Sequence, residues 1–297
     1  MITPATLKPG DKVAIVCTAR SAEEKDLTTA IDLLKKWQLR PILGSSIGLR
    51  HHQFGGTDEQ RLKDFQNQIN NPDIKAIWCA KGGYGTARIV DDIDFKPLIK
   101  QPKWIIGYSD VTALHLHLQH LGIASLHAQM PVDIQNKSSL TLESLKQSLC
   151  QKPFDINYTS EFPSRSGSAQ SQILGGNLSV LYAILGSSSQ PNFKDKILFL
   201  EDLDEYLYHI DRMMLNLYRG GILNQLKGLI IGSMNAMNDN KVSFGKSAYE
   251  IIDEYAEKLN IPVAYNCPVG HTYDNLALTL GSKITLKVHN NQVSIEY

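Results

Sequence analysis

Through the first half of the chain, short unbroken apolar runs alternate with segments of helical period, and this restricts the fold more than any other feature. Val13 to Cys17 is apolar throughout, without the in–out alternation of a strand that has one wet face, so it reads as a strand buried on both sides. A helical segment follows from about Glu23, with Leu27, Ile31, Leu34 and Trp37 on one stripe. Thr57 and Gln60 have capping-box spacing, and Leu62, Phe65 and Ile69 then recur at helical intervals. The cycle repeats through strand candidates Ala76 to Ala80, Lys103 to Gly107 and Ile123 to His127, with a helical stripe of Val111, Leu114, Leu118 and Leu121 before the last. This order predicts an α/β fold: a parallel sheet with helices on both faces.

The composition changes near residue 135. Asn136 to Ser171 is rich in Ser, Gln, Thr, Asn and Pro, holds one amphipathic segment (Leu142, Leu145, Leu149), and reads as a crossing between domains. Beyond it lie strand candidates at Ile197 to Leu200, Leu229 to Gly232, Pro262 to Tyr265, Ile284 to Val288 and Val293 to Glu296. One strongly periodic helix carries Leu203, Leu207, Ile210, Met214 and Leu217. The last two strands alternate and are joined by His289-Asn290-Asn291-Gln292, a hairpin signal. A chain of 297 residues predicts two domains at about 150 residues each. The expected division is 1–135, an interdomain connection over 136–171, and 172–297.

Thirty basic residues balance thirty acidic ones, so nothing in the net charge points to nucleic acid or an anionic membrane as partner. The longest nearly apolar stretch, Ile173 to Gly186, is too short to span a bilayer, and the first residues lack the pattern of a secretory signal. Cys17, Cys79, Cys150 and Cys267 are widely spaced with no CxxC, which argues against a zinc ribbon or redox motif. The expectation is a cytoplasmic protein whose function resides in a local site.

Four segments could form that site. In Lys103 to Val111 an apolar strand runs through Gly107-Tyr108 into Ser109-Asp110, and a helix starts at once. A serine on such a turn projects its hydroxyl from the sheet edge, above free N–H groups, as in a nucleophile elbow; Ser109 or Asp110 acting only as a helix cap is the competing reading. Lys81-Gly82-Gly83-Tyr84-Gly85 also follows a strand and can expose backbone N–H groups to an oxyanion; it matches neither a P-loop nor a dinucleotide fingerprint, and an ordinary tight turn is the alternative. Glu201 ends an apolar strand, where it can orient a histidine or belong to a helix-capping acidic cluster with Asp202, Asp204 and Glu205. His271, in Pro268-Val-Gly270-His271, is the one histidine of nine in a glycine-containing loop after a strand, a setting for a general base. His115, His117 and His120 share a helix without metal-ligand spacing and read as packing or surface residues.

Taken in order and spacing, these segments resemble the LD-carboxypeptidase family of serine peptidases, which includes murein tetrapeptide carboxypeptidases and microcin C self-immunity peptidases. The resemblance runs from Leu7-Lys-Pro-Gly-Asp-Lys-Val-Ala-Ile-Val through Gly82-Gly83-Tyr84-Gly85, Gly107-Tyr-Ser-Asp110, Leu174-Gly-Gly-Asn177-Leu, Leu200-Glu-Asp202 and Ile210-Asp-Arg212 to Gly270-His271. Lys81 departs from it: the family commonly has arginine there, so the charge is kept and the fork geometry lost. The resemblance implies Ser109 as nucleophile, Glu201 as acid and His271 as base, with the backbone N–H groups of Gly83 and Asp110 as oxyanion hole. It implies an N-terminal Rossmann-like parallel-sheet domain carrying Ser109 and a C-terminal mainly β domain with helices carrying Glu201 and His271, meeting at the site.

The substrate so implied is a muropeptide tetrapeptide, cleaved between an L-centre diamino acid (lysine or diaminopimelate) and terminal D-alanine, with neither metal nor cofactor. Lys81, Tyr84, Arg88 and Arg212 are the candidate substrate contacts, and a homodimer is plausible from the family. Two other readings stand beside this one. A microcin-C-type peptidase acting on aminoacyl nucleotide analogues would need an aromatic to stack on the base, and Trp37, Trp78 and Trp104 fall in predicted core strands or a helix. A non-catalytic peptide- or small-molecule-binding protein would have no use for the Ser109, Glu201 and His271 set.

Overall fold

The computed structural model describes residues 1–297. In it the apolar runs of the first half pair as β1 (Lys12–Val16), β2 (Arg40–Leu43), β3 (Ile74–Cys79), β4 (Trp104–Gly107) and β5 (Ser125–His127), all parallel, in the order β2-β1-β3-β4-β5. The central strands are largely apolar because each of their faces is covered. Val13, Ile15, Trp78 and Ile106 pack against Leu27, Ala30 and Leu34 at α1 (Thr28–Lys36). Ala14, Val16, Ile77 and Ile105 turn the other way, toward Phe65 and Ile69 of α2 (Asp58–Asn70) and, past the short α3 (Lys96–Lys100), Leu114 and Leu118 of α4 (Thr112–His120). Thr57 and Gln60 form both bonds of the expected capping box.

The stretch expected as a crossing holds more structure than its polarity suggests. α5 (Ser139–Cys150) packs Leu145 and Leu149 onto the first sheet, and β6 (Ile156–Thr159) and the start of β7 (Gly167–Asn177) belong to a second sheet. α6 (Leu178–Ile184) follows, then β8 (Ile197–Leu203), α7 (Leu207–Arg219), β9 (Gly228–Asn235), α8 (Ala248–Ala256), β10 (Val263–Ala264), β11 (Leu278–Leu280), β12 (Lys283–His289) and β13 (Gln292–Glu296). The second sheet runs β10-β9-β8-β7-β12-β13-β6; β7 to β10 are parallel, and β12, β13 and β6 are antiparallel. Leu203, read as the start of the periodic helix, is instead the last residue of β8, and α7 begins at Leu207. The predicted hairpin is present, with Asn290 and Asn291 both at positive φ in a two-residue turn.

The sheets are joined by sequence as well as packing. β11 leaves the second half of the chain and adds an antiparallel edge to the first sheet, pairing Leu278 with His127 and Leu280 with Ser125. Leu198 and Leu200 face α7 and α8, while Ile197 and Phe199 face Leu278, Leu280 and Ile284. No helix is long and apolar enough to cross a membrane.

Candidate active site

β4 ends at Gly107, Tyr108 stays extended, and Ser109 enters the left-handed region at φ +61° before a short 3-10 turn leads into α4. A non-glycine residue there is strained by roughly 1–3 kcal/mol and persists only when its surroundings enforce it. The glycine loop after β3 is part of that enforcement. Gly82 lies so close that a Cβ on it would sit 3.2 Å from Ser109 Cβ and 3.4 Å from its Oγ. The buried Asp110 carboxylate accepts the Thr86 N–H at 2.8 Å, tying the serine turn to the far end of the loop. Burial pushes the Asp110 pKa up, against the hydrogen bonds from Thr86 and Gly85 and the charge of Arg61. Arg61, fully buried, donates to the carbonyls of Thr18 and Gly85 and pairs with Asp58. The N–H groups of Gly83 and Asp110 make no hydrogen bond within the protein.

Glu201, near the end of β8, is fully buried and accepts the Nδ1–H of His271 at 2.7 Å, with the His271 backbone N–H at 3.3 Å on the same oxygen. Burial opposes a charge on the imidazole, but the charge and hydrogen bond of Glu201, helped by Asp202, outweigh it and raise the His271 pKa. The ring can come this close because residue 270 has no side chain: at φ +114°, a Cβ there would lie 2.6 Å from Glu201 Oε2 and 2.7 Å from Ser233 Oγ. Gly270→Ala is therefore expected to cost ~2–4 kcal/mol, combining left-handed strain with overpacking, and to displace the imidazole. Denaturant unfolding measures the first effect; activity loss in the fraction that remains folded measures the second.

Asn177 holds the acid in place. Its Nδ2 reaches Glu201 Oε1 at 3.3 Å and Asp202 Oδ1 at 2.8 Å, and its backbone N–H donates to Thr112 Oγ1 at 2.9 Å on the helix that follows Ser109. Asp202 also accepts the N–H groups of Leu203 and Ser179. Burial and the neighbouring Glu201 push its pKa up to about 7. The loop bearing His271 is anchored by Asn275, which accepts from Gly270 N–H and donates to Gln129 Oε1 just beyond β5.

These groups meet at a cleft of about 380 Å³ between the two sheets, at the carboxyl ends of β3, β4 and β8. Ser109, His271, Gly83 and Lys81 line it. Ser109 Oγ faces the cleft without hydrogen-bonding to the imidazole, whose ring centroid is 4.8 Å from that of Tyr108. The other sequence candidates lie elsewhere. Arg88 grips the Asp58 carboxylate through Nε and Nη2 and is spent on that pair. Arg212 stacks on Tyr208, on the α7 surface outside the cleft. Tyr84 is half exposed beside Phe54 and does not line the cleft. None of these three, expected from the sequence as substrate contacts, lines the cleft. Sequence reasoning also passed over Arg20, Asn177 and Asp202, all in the lining. His115 packs as expected, between Ser125 Oγ and the Gly107 carbonyl. Burial raises the Cys17 and Cys79 thiols to about 11 and about 12, which leaves them inert as nucleophiles. No cluster of His, Cys, Asp or Glu is placed to hold a metal ion.

Residues 13–128 match the LD-carboxypeptidase N-terminal domain, and residues 170–286 match the LD-carboxypeptidase C-terminal domain. A Bacillus subtilis protein described as "Probable murein peptide carboxypeptidase" is 31% identical over 99% of this chain and 94% of its own length. The microcin C7 self-immunity protein of Escherichia coli is 26% identical over 98% of this chain and 94% of its own. Among solved structures, muramoyltetrapeptide carboxypeptidase from Oxalobacter formigenes superposes with a TM-score of 0.88 at 27% identity, covering 96% of this chain and 97% of that one.

Proposed function

The chain belongs to the LD-carboxypeptidase family and is a serine carboxypeptidase, and on that premise we propose that it removes terminal D-alanine from the L-centre diamino acid of muropeptide tetrapeptides. The observation that carries this reading is the buried Glu201–His271 hydrogen bond opening onto the same cleft as the left-handed Ser109. With Nδ1–H held by Glu201, the neutral imidazole keeps Nε2 as acceptor. Nε2 takes the Ser109 proton as Oγ bonds to the scissile carbonyl carbon. The negative oxygen of the tetrahedral intermediate is held by the free N–H groups of Gly83 and Asp110; one such donor typically contributes about 100- to 1,000-fold. The imidazolium then protonates the amine nitrogen of D-alanine as the C–N bond breaks, leaving an ester on Ser109. Water, deprotonated by the same nitrogen, hydrolyses the ester and restores the hydroxyl.

The cleft wall favours a substrate bearing an ammonium group. Asp133, Asp202, Asp204 and Glu205 all line it. Even with Asp202 partly protonated near neutrality, the others give this wall a negative potential suited to the side-chain amine of lysine or diaminopimelate. An aminoacyl nucleotide would be served by a ring that stacks on the base. The rings of the lining are His271 and the buried Tyr108, while Trp78 and Trp104 lie in the sheet core.

Mass spectrometry of a tetrapeptide ending in L-Lys–D-Ala or diaminopimelate–D-Ala is expected to show loss of one alanine residue, and an aminoacyl sulfamoyl adenylate tested in parallel is expected to stay intact. The reverse pattern would transfer the assignment to the nucleotide substrate.

A further inference from the structure

Carboxypeptidase action sets a geometric condition that the lining residues can be tested against. In the bond to be cut, only the amide nitrogen and one Cα separate the scissile carbonyl carbon from the terminal carboxylate, so the two groups lie about one residue apart, roughly 3.8 Å. A cation that recognises the carboxylate must therefore stand directly beside the oxyanion donors. Of the cationic side chains in the protein, Arg20 and Lys81 line the cleft.

Arg20 follows β1 and lies across the glycine loop. A Cβ on Gly83 would be 2.5 Å from both Cδ and Nε of Arg20, so the arginine stem rests on the backbone whose N–H is an oxyanion donor, and only glycine allows it. Arg20 forms no ion pair, whereas Arg61 and Arg88 both hold Asp58. Its guanidinium offers paired donors matched to a carboxylate, which the point charge of Lys81 does not. Three of the four carboxylates of the lining, Asp202, Asp204 and Glu205, come from the end of β8 and the turn after it, so a substrate carboxylate is repelled there and drawn to the Arg20 end.

We infer that Arg20 anchors the terminal carboxylate of the substrate and is the residue that confines cleavage to the last bond of a peptide. The inference rests on the reading of Ser109 as the reacting group, because it is the distance to that centre that selects Arg20.

The test compares a tetrapeptide ending in D-alanine with the same peptide ending in D-alanine amide. Arg20→Gln is expected to lower kcat/KM for the acid about 10- to 100-fold, mainly through KM, and to lower it far less for the amide, so that the preference of the wild type for the acid collapses. Arg20→Lys keeps the charge without the fork and is expected to fall between. Lys81→Gln is expected to reduce both substrates alike. Folding is not at issue, since Arg20 is exposed and both replacements keep its stem. The same pair of ligands is measured by calorimetry on the Ser109→Ala background, where binding is read without turnover. If the wild type cleaves neither peptide but the acid preference in binding disappears with Arg20→Gln, the anchor stands and the proposed reaction falls. An unchanged acid-to-amide ratio in Arg20→Gln, in turnover or in binding, overturns the anchor whatever the reaction proves to be.

Discussion

Ser109→Ala is expected to reduce turnover of the tetrapeptide by at least ~10⁴-fold without loosening the fold. Removing the nucleophile of a serine peptidase costs about 10⁶ in kcat, the residue of catalysis coming from the oxyanion hole and binding. The hydroxyl deleted here makes no hydrogen bond in the structure and faces the cleft, so its loss leaves no buried partner unsatisfied. Alanine inherits the same left-handed strain at φ +61°, and stability is expected to stay within about 0.5 kcal/mol of wild type. Ser109→Gly sharpens the test. It is equally inactive, but glycine adopts that conformation freely, so it is expected to unfold later, by roughly 1 kcal/mol. A gain in stability with total loss of activity is what a strained nucleophile predicts and a mere helix cap does not: a cap replaced by glycine or alanine loses stability. Labelling by a fluorophosphonate that vanishes in both variants would place the reactive hydroxyl at Ser109. Wild-type turnover by either variant would remove Ser109 from the chemistry and leave a binding role in its place.

What the sequence disclosed about this site, and what it hid, follows from how far apart the interacting groups lie along the chain. The serine turn was legible because its parts are contiguous: an apolar strand, Gly107-Tyr108, and a helix at once. The central strands of the first sheet were legible for a similar reason, since burial on both faces leaves them largely apolar, as in Val13 to Val16 and Trp104 to Ile106. β2 was missed because Arg40-Pro41-Ile42-Leu43 is an edge strand, where proline is tolerated and polarity rises. The first part of β7, Gly167 to Gln172, is Ser- and Gln-rich because it is mostly solvated, and such polarity cannot be told from a loop without its partner β12. β11 is three residues long and gains its place by pairing with a strand about 150 residues earlier, for which no local pattern exists. The same limit applied at the site. Glu201 and His271 were each legible as a candidate, but the hydrogen bond between them spans seventy positions. Asn177 and Asp202 carry no sequence signal for their part in the site, because their work is to hold other side chains. Arg20 has no sequence signal except its charge, because its place beside the site depends on the glycine loop that lies under it, more than sixty positions away.

The buried acid gives the second large effect. Both Glu201 oxygens accept hydrogen bonds, Oε2 from the His271 ring and backbone and Oε1 from Asn177 Nδ2. Glu201→Gln keeps the shape but replaces one acceptor with an NH₂ donor, and neither orientation works. With the NH₂ toward the imidazole, Nδ1 must become the acceptor, the ring proton moves to Nε2, and the atom that should take the Ser109 proton already carries one. With the NH₂ toward Asn177, two donors face each other and the bridge to Asp202 is broken. A fall in kcat of ~10³–10⁴-fold is expected either way. The pH dependence separates this from simple disruption. Glu201 raises the His271 pKa, so wild-type kcat/KM falls as pH drops through that raised value, and Glu201→Gln shifts this acid limb to lower pH. Stability carries the matching signature. The protonated imidazole beside Glu201 stabilises the wild-type fold below the unfolded histidine value of 6.5, and that contribution disappears as pH rises through the raised pKa. In Glu201→Gln the dependence over this window should be lost or reversed, because burial alone disfavours the charged ring. If serine, histidine and glutamate act as one unit, Ser109→Ala with Glu201→Gln is no slower than Ser109→Ala alone. Losses that multiply instead would mean that Glu201 serves the fold or the substrate independently of the serine, and the roles assigned to the three residues would have to be separated.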